Sequence, residues 1–139
     1  LGTIFLDILI PLGVQSIGGP TVGADPIVAA VALMSHQRGT PVSGFIVRSQ
    51  QKQYGTQQNV EGPISPDSTV AIVDDVCTTG GSIFKAIDAA EALGCKVAVV
   101  LAVLDRAQGG AEILKAKGYK FQPLLVADNT GTIVPATDI

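Results

Sequence analysis

The sequence has little of what several classes of protein require. Its 139 residues include two cysteines, one histidine and nine lysines and arginines against twelve acids, for a net charge of −3 at pH 7. The basic residues form no stripe and are not interleaved with aromatic residues, so we do not expect nucleic acid as a partner. Cys77 and Cys95 make neither a disulfide framework nor a zinc spacing, which predicts a reduced, cytoplasmic setting.

Long apolar runs are also missing. No run approaches the ~18 residues that a membrane-spanning helix needs, and the longest clear one, residues 97–104, fits a buried strand. Neither lysine nor arginine occurs before Pro11, which predicts no signal or transit peptide. With 47% hydrophobic residues, residues 1–139 are expected to form a single domain with a sheet that is covered on both faces. We do not expect this domain to bind a membrane.

The candidate site lies in residues 70–82, where an apolar run ends in Asp74 and Asp75. The apolar part has the composition of a buried parallel strand. Because side chains alternate along a strand, the two carboxylates should lie on opposite faces and bind different groups of one ligand. Burying two neighbouring acids for packing alone would be unfavourable, so we interpret them as ligand-binding residues.

The residues after the two acids are suited to an anion. The predicted start of a helix offers hydroxyl groups and backbone N–H groups that no large side chain obstructs. They belong to Thr78, Thr79, Gly80, Gly81 and Ser82. Carboxylates followed by such a loop predict a sugar phosphate as the ligand. A Walker loop is excluded because no Lys-Ser or Lys-Thr follows the glycines, and the dinucleotide-binding glycine pattern is missing. A receiver domain would have paired acids at its start; a plain strand–turn–helix remains the alternative.

Strands that alternate with helices predict an α/β fold, a doubly wound parallel sheet flanked by helices. We expect strands at residues 14–17, 43–47, 70–75, 95–104 and 121–126, and helices at 25–36, 82–93 and 111–117. Residues 1–12 are expected to form a strand fragment and one helical turn, and residues 49–60 a mobile loop. Gly18 and Gly19 either admit a second anion or form a plain tight turn. Cys77 is expected to be small apolar filler, and His36 inert surface.

Two segments carry a resemblance to a known family. Residues 73–82, Val-Asp-Asp-Val-Cys-Thr-Thr-Gly-Gly-Ser, resemble the phosphoribosyl-pyrophosphate (PRPP) signature of the type I phosphoribosyltransferases. Residues 48–56, with Glu61-Gly62 behind them, look like the catalytic loop of the orotate phosphoribosyltransferases, the members that this chain resembles most. The resemblance spans roughly residues 18–110 and implies that family's core, with its N-terminal hood reduced or missing in a chain whose start looks truncated.

The resemblance implies a reaction and a set of site residues. The reaction is Mg²⁺-dependent transfer of the 5-phosphoribosyl group from PRPP to orotate, giving orotidine 5′-monophosphate and pyrophosphate. Lys52, Asp74 and Asp75 would be catalytic, and Thr78 and Arg106 would bind the base. The residues that would bind PRPP are Arg48, Lys52, Asp74, Asp75, Val76, Cys77, Thr78, Thr79, Gly80, Gly81 and Ser82. No residue would bind Mg²⁺ directly, since PRPP and waters near the two acids would hold it, and a homodimer would let residues 49–60 act on the neighbouring subunit.

Three positions depart from the family pattern. Ser49 stands where the family loop commonly has lysine, Tyr54 where it has histidine, and Gly23 where some members have lysine. If each lost charge contact is worth ~1.5–3 kcal/mol, two or more losses would slow turnover by several powers of ten at ~1.4 kcal/mol per tenfold. Two alternatives therefore stay open: a phosphoribosyltransferase for another nucleobase, and a catalytically weak regulatory protein that binds PRPP or a nucleotide.

Overall fold

The computed structural model describes residues 1–50 and 59–137. Seven strands form one sheet in the order β3-β2-β1-β4-β5-β6-β7. They are β1 (Ser16–Pro20), β2 (Ser43–Val47), β3 (Val60–Glu61), β4 (Thr69–Cys77), β5 (Lys96–Asp105), β6 (Phe121–Ala127) and β7 (Ile133–Pro135). The five central strands are parallel, whereas β3 and β7 pair antiparallel at the two edges.

In the described residues, four helices cover the sheet: α1 (Gly2–Leu9), α2 (Asp25–Gln37), α3 (Gly81–Ala92) and α4 (Gly110–Ala116), with a 3-10 turn at Ile10–Leu12. One core joins α1 and α2 to the sheet through side chains such as Phe5, Val31 and Val73. The other joins α3 and α4 to the opposite face through side chains such as Ile72 and Ile87. Helices on both faces of a mostly parallel sheet confirm the predicted α/β class and doubly wound arrangement.

The prediction of a strand fragment in residues 1–12 was wrong, because this segment is helical. Phe5, Leu6 and Leu9 are fully buried on one side of α1, at helical spacing. A Cβ on Gly2 would come within 2.9 Å of the Ala30 carbonyl oxygen, so the two helices approach closely at this point. Packing against α2 therefore stabilises a helix that has no side-chain cap.

Gly18 and Gly19 are strand residues in β1, so neither the predicted tight turn nor the predicted loop for a second anion is present at these two positions. The reason is the close approach of neighbouring strands. A Cβ on Gly18 would lie 2.3 Å from the Phe45 ring, and one on Gly19 would lie 1.9 Å from the Val73 carbonyl oxygen. Only glycine fits between β2 and β4 at these positions.

The predicted bounds shift at several other places. Strand β4 contains both aspartates, as predicted, and it continues two residues further, to Cys77. Helix α2 begins at Asp25, as predicted, with Ala24 as its N-cap, and it extends one residue further than predicted, to Gln37. Val60, expected at the end of a loop, and residues 133–135 of the tail form the two short antiparallel edge strands. Among the helices of the described residues, none has the length and apolar character that spanning a membrane requires.

The order of the parallel strands places a crevice beside β1. The chain leaves β1 through α2 to reach β2 on one side, and it later enters β4 on the other side. In open α/β sheets, ligands bind at the carboxyl ends of the strands where the strand order reverses in this way. The candidate site at the end of β4 therefore lies where the fold alone predicts a ligand.

Candidate active site

Asp74 is the buried member of the acid pair. Its residue is only 6% exposed, on the face of the sheet that α3 covers. One carboxylate oxygen accepts a hydrogen bond from the Asp75 N–H at 2.9 Å, and the other accepts one from the Ser82 hydroxyl at 3.1 Å. The strand end and the helix start are thereby joined through this carboxylate.

Burial perturbs the acid–base chemistry of Asp74. Loss of solvent raises the pKa of its carboxyl from 3.8 to about 6, and the hydrogen bonds from the Asp75 N–H and from Ser82 oppose this rise. The neighbouring negative charge of Asp75 adds to the increase. A carboxylate with a raised pKa at a strand end is a frequent mark of a functional site.

Asp75 lies on the opposite face, as the alternation of side chains predicts. It is exposed, and its carboxylate accepts a hydrogen bond from the Val76 N–H at 2.8 Å. A Cβ on Gly23, in the segment between β1 and α2, would come within 2.4 Å of an Asp75 carboxylate oxygen. The two acids therefore face different sides of the crevice, one toward α3 and one toward the segment before α2.

Residues 78–82 connect the end of β4 to the first turn of α3, and most of their backbone N–H groups are open. Gly80 is the N-cap of α3 with φ of +86°, a left-handed conformation that glycine adopts readily. Its carbonyl accepts the first helical bond, from the Phe84 N–H at 2.9 Å. Within the described ranges, the N–H groups of residues 79–82 donate to no other residue, which leaves them available to an anion.

The opposite side of this loop is anchored by neighbouring backbone. The Thr78 carbonyl accepts a hydrogen bond from the Gly110 N–H at 3.0 Å, and the Cys77 carbonyl accepts one from the Arg106 N–H at 2.9 Å. Cys77 is fully buried, and burial raises the pKa of its thiol to about 11. The Cys77 thiol therefore packs in the core, as predicted, and the two backbone hydrogen bonds anchor the loop to the residues that follow β5.

A pocket of about 280 Å³ opens beside the loop. Its lining residues are Pro20, Thr21, Val47, Arg48, Ser49, Gly81, Ser82 and Lys85. Arg48 follows β2 directly; its Nε lies 3.7 Å from Glu61 Oε1, and its N–H donates to the Asn59 carbonyl at 2.8 Å. The pocket thus joins the ends of β1 and β2 to the first turn of α3.

The structure brings most of the predicted site residues together, with two exceptions. Lys52, and with it Tyr54, lies outside the described residues. Arg106 follows β5 and is exposed, and in the described part of the chain its side chain forms no salt bridge. Asp105 is buried and accepts a hydrogen bond from the Ala107 N–H at 3.0 Å.

Lys85 is the pocket residue that the sequence analysis did not single out. It lies three positions after Ser82 on α3, and residues three or four apart share one face of a helix. That spacing was the signal that could have found it. Nothing in the sequence showed that this face of α3 would meet Arg48 across the sheet.

The fold and the site define a phosphoribosyltransferase. The family model for the phosphoribosyl transferase domain matches residues 19–132, and the chain belongs to this family. The chain is also similar to proteins named orotate phosphoribosyltransferase. One from Rhodopirellula baltica is 38% identical over 137 residues, with 94% of this chain and 71% of the relative covered. One from Nostoc sp. is 42% identical over 123 residues, with 88% and 59% covered.

Solved structures agree with these sequence comparisons. A crystal structure of Mycobacterium tuberculosis orotate phosphoribosyltransferase in complex with Fe(III) dicitrate matches with a TM-score of 0.80 and 34% identity, over 90% of this chain and 70% of that one. A structure of the same enzyme in complex with PRPP has a TM-score of 0.77 and 31% identity, with the same coverage. Against several curated relatives, such as that of Nostoc sp., this chain spans about three fifths of the relative's length.

Proposed function

We propose that this chain transfers the 5-phosphoribosyl group from PRPP to orotate, producing orotidine 5′-monophosphate and pyrophosphate. The observation that carries the proposal is the meeting, at one crevice of the sheet, of two carboxylates with a loop of open backbone N–H groups. The names of the similar proteins favour orotate as the base. The proposal includes a role in pyrimidine nucleotide synthesis and a cytoplasmic location.

The ribose 5-phosphate part of PRPP fits the described geometry. The 5′-phosphate would accept hydrogen bonds from the N–H groups of residues 79–82 and from the hydroxyls beside them. The ribose hydroxyls would donate to Asp74 and Asp75, whose carboxylates face the two sides of the crevice. Val76 and Cys77 would contribute to PRPP binding through their backbone, which leads into the loop.

The chemical step requires little covalent work from the protein. Positive charge develops on the ribose and negative charge on the departing pyrophosphate, so alignment and stabilisation of the leaving group are the main contributions. Arg48 lies at the pocket that adjoins the phosphate loop and would bind the pyrophosphate. Lys52 would join it from the loop, and we propose a homodimer in which residues 49–60 reach the neighbouring subunit.

The residues present fit a magnesium ion that is held mainly by substrate. Among the described residues, no group of three His, Cys, Asp or Glu side chains could hold a metal ion. Asp74 and Asp75 face opposite sides of β4, so they suit hydrogen bonds to metal-bound waters better than joint direct ligation. Mg²⁺ keeps several waters and binds through substrate oxygens; when bound, it neutralises charge on the pyrophosphate. Asp74 and Asp75 would orient those waters.

The base would lie near Thr78 and Arg106. Thr78 is half-buried at the start of the loop, and the Arg106 backbone is hydrogen-bonded to Cys77 directly before it. The exposed guanidinium of Arg106 would orient the orotate carboxylate, for which arginine offers a bidentate geometry.

A pyrophosphate-release assay tests the proposal. Purified protein with PRPP and Mg²⁺ is offered orotate, uracil, adenine, guanine and hypoxanthine in turn. We expect release with orotate and none with the others, and we expect the double variant Asp74→Asn and Asp75→Asn to be inactive. Release with a different base alone would favour the first alternative. Calorimetric binding of PRPP without any release would favour the regulatory alternative, which the absence of side-chain cations at Ser49 and Gly23 supports.

A further inference from the structure

The pocket of about 280 Å³ beside residues 78–82 has a positive charge that the sequence pattern did not predict. Among the residues that line it, Arg48 and Lys85 are cationic and none is acidic. A neighbouring pocket of about 320 Å³ shares Arg48, Ser49 and Lys85 and adds Asn59 and Asp88. Lys85 therefore borders both cavities at the point where the chain leaves β2.

Lys85 is not committed to another partner in the described part of the chain. Its side chain is exposed, and no salt bridge there involves it. Lys85 shares the lining of the first pocket with Arg48 and with Gly81 and Ser82 of the first turn of α3. Two cationic side chains that line one cavity attract an anion.

The missing cations make this position significant. Ser49 and Gly23 leave two places beside the crevice without the positive charge that the family pattern predicts there. Gly23 has no space for a side chain in the present arrangement, because a Cβ would contact the Asp75 carboxylate. Lys85 places a positive charge on the other wall of the same pocket, next to Ser49.

We propose that Lys85 binds the pyrophosphate group of PRPP together with Arg48 and compensates for the charge absent at Ser49 and Gly23. This inference rests on the proposed function, since it assigns a residue to the leaving group of that reaction. Lys85 lines a pocket with Pro20, Val47 and Arg48 at the ends of β1 and β2. The 5′-phosphate is assigned to the open N–H groups of residues 79–82, where the pyrophosphate is not expected.

The test uses three variants. Lys85→Gln removes the charge, and Lys85→Arg retains it. Lys96→Gln removes a charge at the amino ends of the parallel strands, away from the crevice, where Lys96 starts β5 beside Thr69. For Lys85→Gln we expect a KM for PRPP about tenfold higher, typical of one lost charge-assisted contact. The KM for orotate should stay unchanged. The KM of Lys85→Arg for PRPP should stay within about threefold of that of the original protein, and the KM of Lys96→Gln for PRPP should be unchanged.

Calorimetry separates the two phosphate groups and the two proposals. With Mg²⁺ present, Lys85→Gln should bind pyrophosphate about tenfold more weakly and ribose 5-phosphate equally well. Unchanged pyrophosphate affinity in Lys85→Gln would overturn the assignment of Lys85, and so would an equal loss of affinity for ribose 5-phosphate. In either case, orotate turnover by the original protein would still uphold the proposed function. Selective weakening of pyrophosphate in a protein that turns over no orotate would uphold Lys85 and remove the function. Failure of the original protein to bind pyrophosphate would overturn the assignment as well.

Discussion

Replacing Asp74 by asparagine should stabilise the free protein while it abolishes substrate binding. Asparagine is nearly the same size and can keep both hydrogen bonds of this side chain: its oxygen accepts from the Asp75 N–H, and its amide donates to the Ser82 hydroxyl. What the substitution removes is a negative charge that is buried beside a second acid. A functional residue that opposes folding is a common feature of binding sites.

The size of the effect follows from the pKa of Asp74, which burial raises from 3.8 to about 6. A difference of about two units at ~1.4 kcal/mol each gives a ceiling of roughly 3 kcal/mol. The carboxylate lies beside an open crevice where solvent screens part of its charge, so we expect about 1–2 kcal/mol. Because the folded pKa is above the unfolded one, the folded state holds the proton more tightly, and stability falls as pH rises from about 4 to 6.

Urea unfolding at pH values from 4 to 8 measures this difference. The stability difference between Asp74→Asn and the original protein should be smallest near pH 4, where the folded state of each is neutral at this position, and the variant should be about 1–2 kcal/mol more stable at pH 7. Asp75→Asn is the matched control: its side chain is exposed, so its stability should change by less than about 0.5 kcal/mol. The reasoning is refuted if Asp74→Asn is less stable at pH 7, or if its advantage does not grow between pH 4 and 6.

Two further predictions concern the loop and the buried thiol. Gly80→Ala should lower stability by about 1 kcal/mol or more, because Gly80 has φ of +86° and a Cβ would lie 3.1 Å from the Phe84 ring. The same substitution should raise the Kd for PRPP. Gly131→Ala is the control: Gly131 has φ of +82° and lies in open space, so its substitution should lower stability without changing the Kd for PRPP. Equal PRPP affinity in both variants would contradict the role of the loop. Cys77 should resist iodoacetamide at pH 8 in the folded protein, because burial raises the pKa of its thiol to about 11 and the thiolate is the reactive form. Rapid alkylation, detected by mass spectrometry, would show that the loop opens.

The sequence predicts best where local pattern and tertiary packing agree. Strand β2 has the predicted bounds, and α3 matches its prediction within one residue at each end. Gly94 follows the end of α3 with φ of +78°, a conformation in which glycine commonly ends a helix. Apolar runs bounded by glycines indicate the buried strands and helices without knowledge of their neighbours.

The elements that were missed depend on neighbours remote in sequence. Helix α1 has no side-chain cap and contains a glycine, and it is stabilised by packing against α2. Gly18 and Gly19 suggest a turn in isolation, yet they are required by the close approach of Phe45 and the Val73 backbone. Lys85 is an ordinary exposed residue of a helix until the sheet brings Arg48 to the same pocket. None of these relations is encoded in local periodicity.

The binding of PRPP at the end of β4 is the central claim, and calorimetric titration of PRPP with Mg²⁺ tests it most directly. The original protein should bind PRPP at one site, and the double variant Asp74→Asn and Asp75→Asn should lose that binding while it remains folded by circular dichroism. A folded double variant that binds PRPP with unchanged affinity would contradict the account.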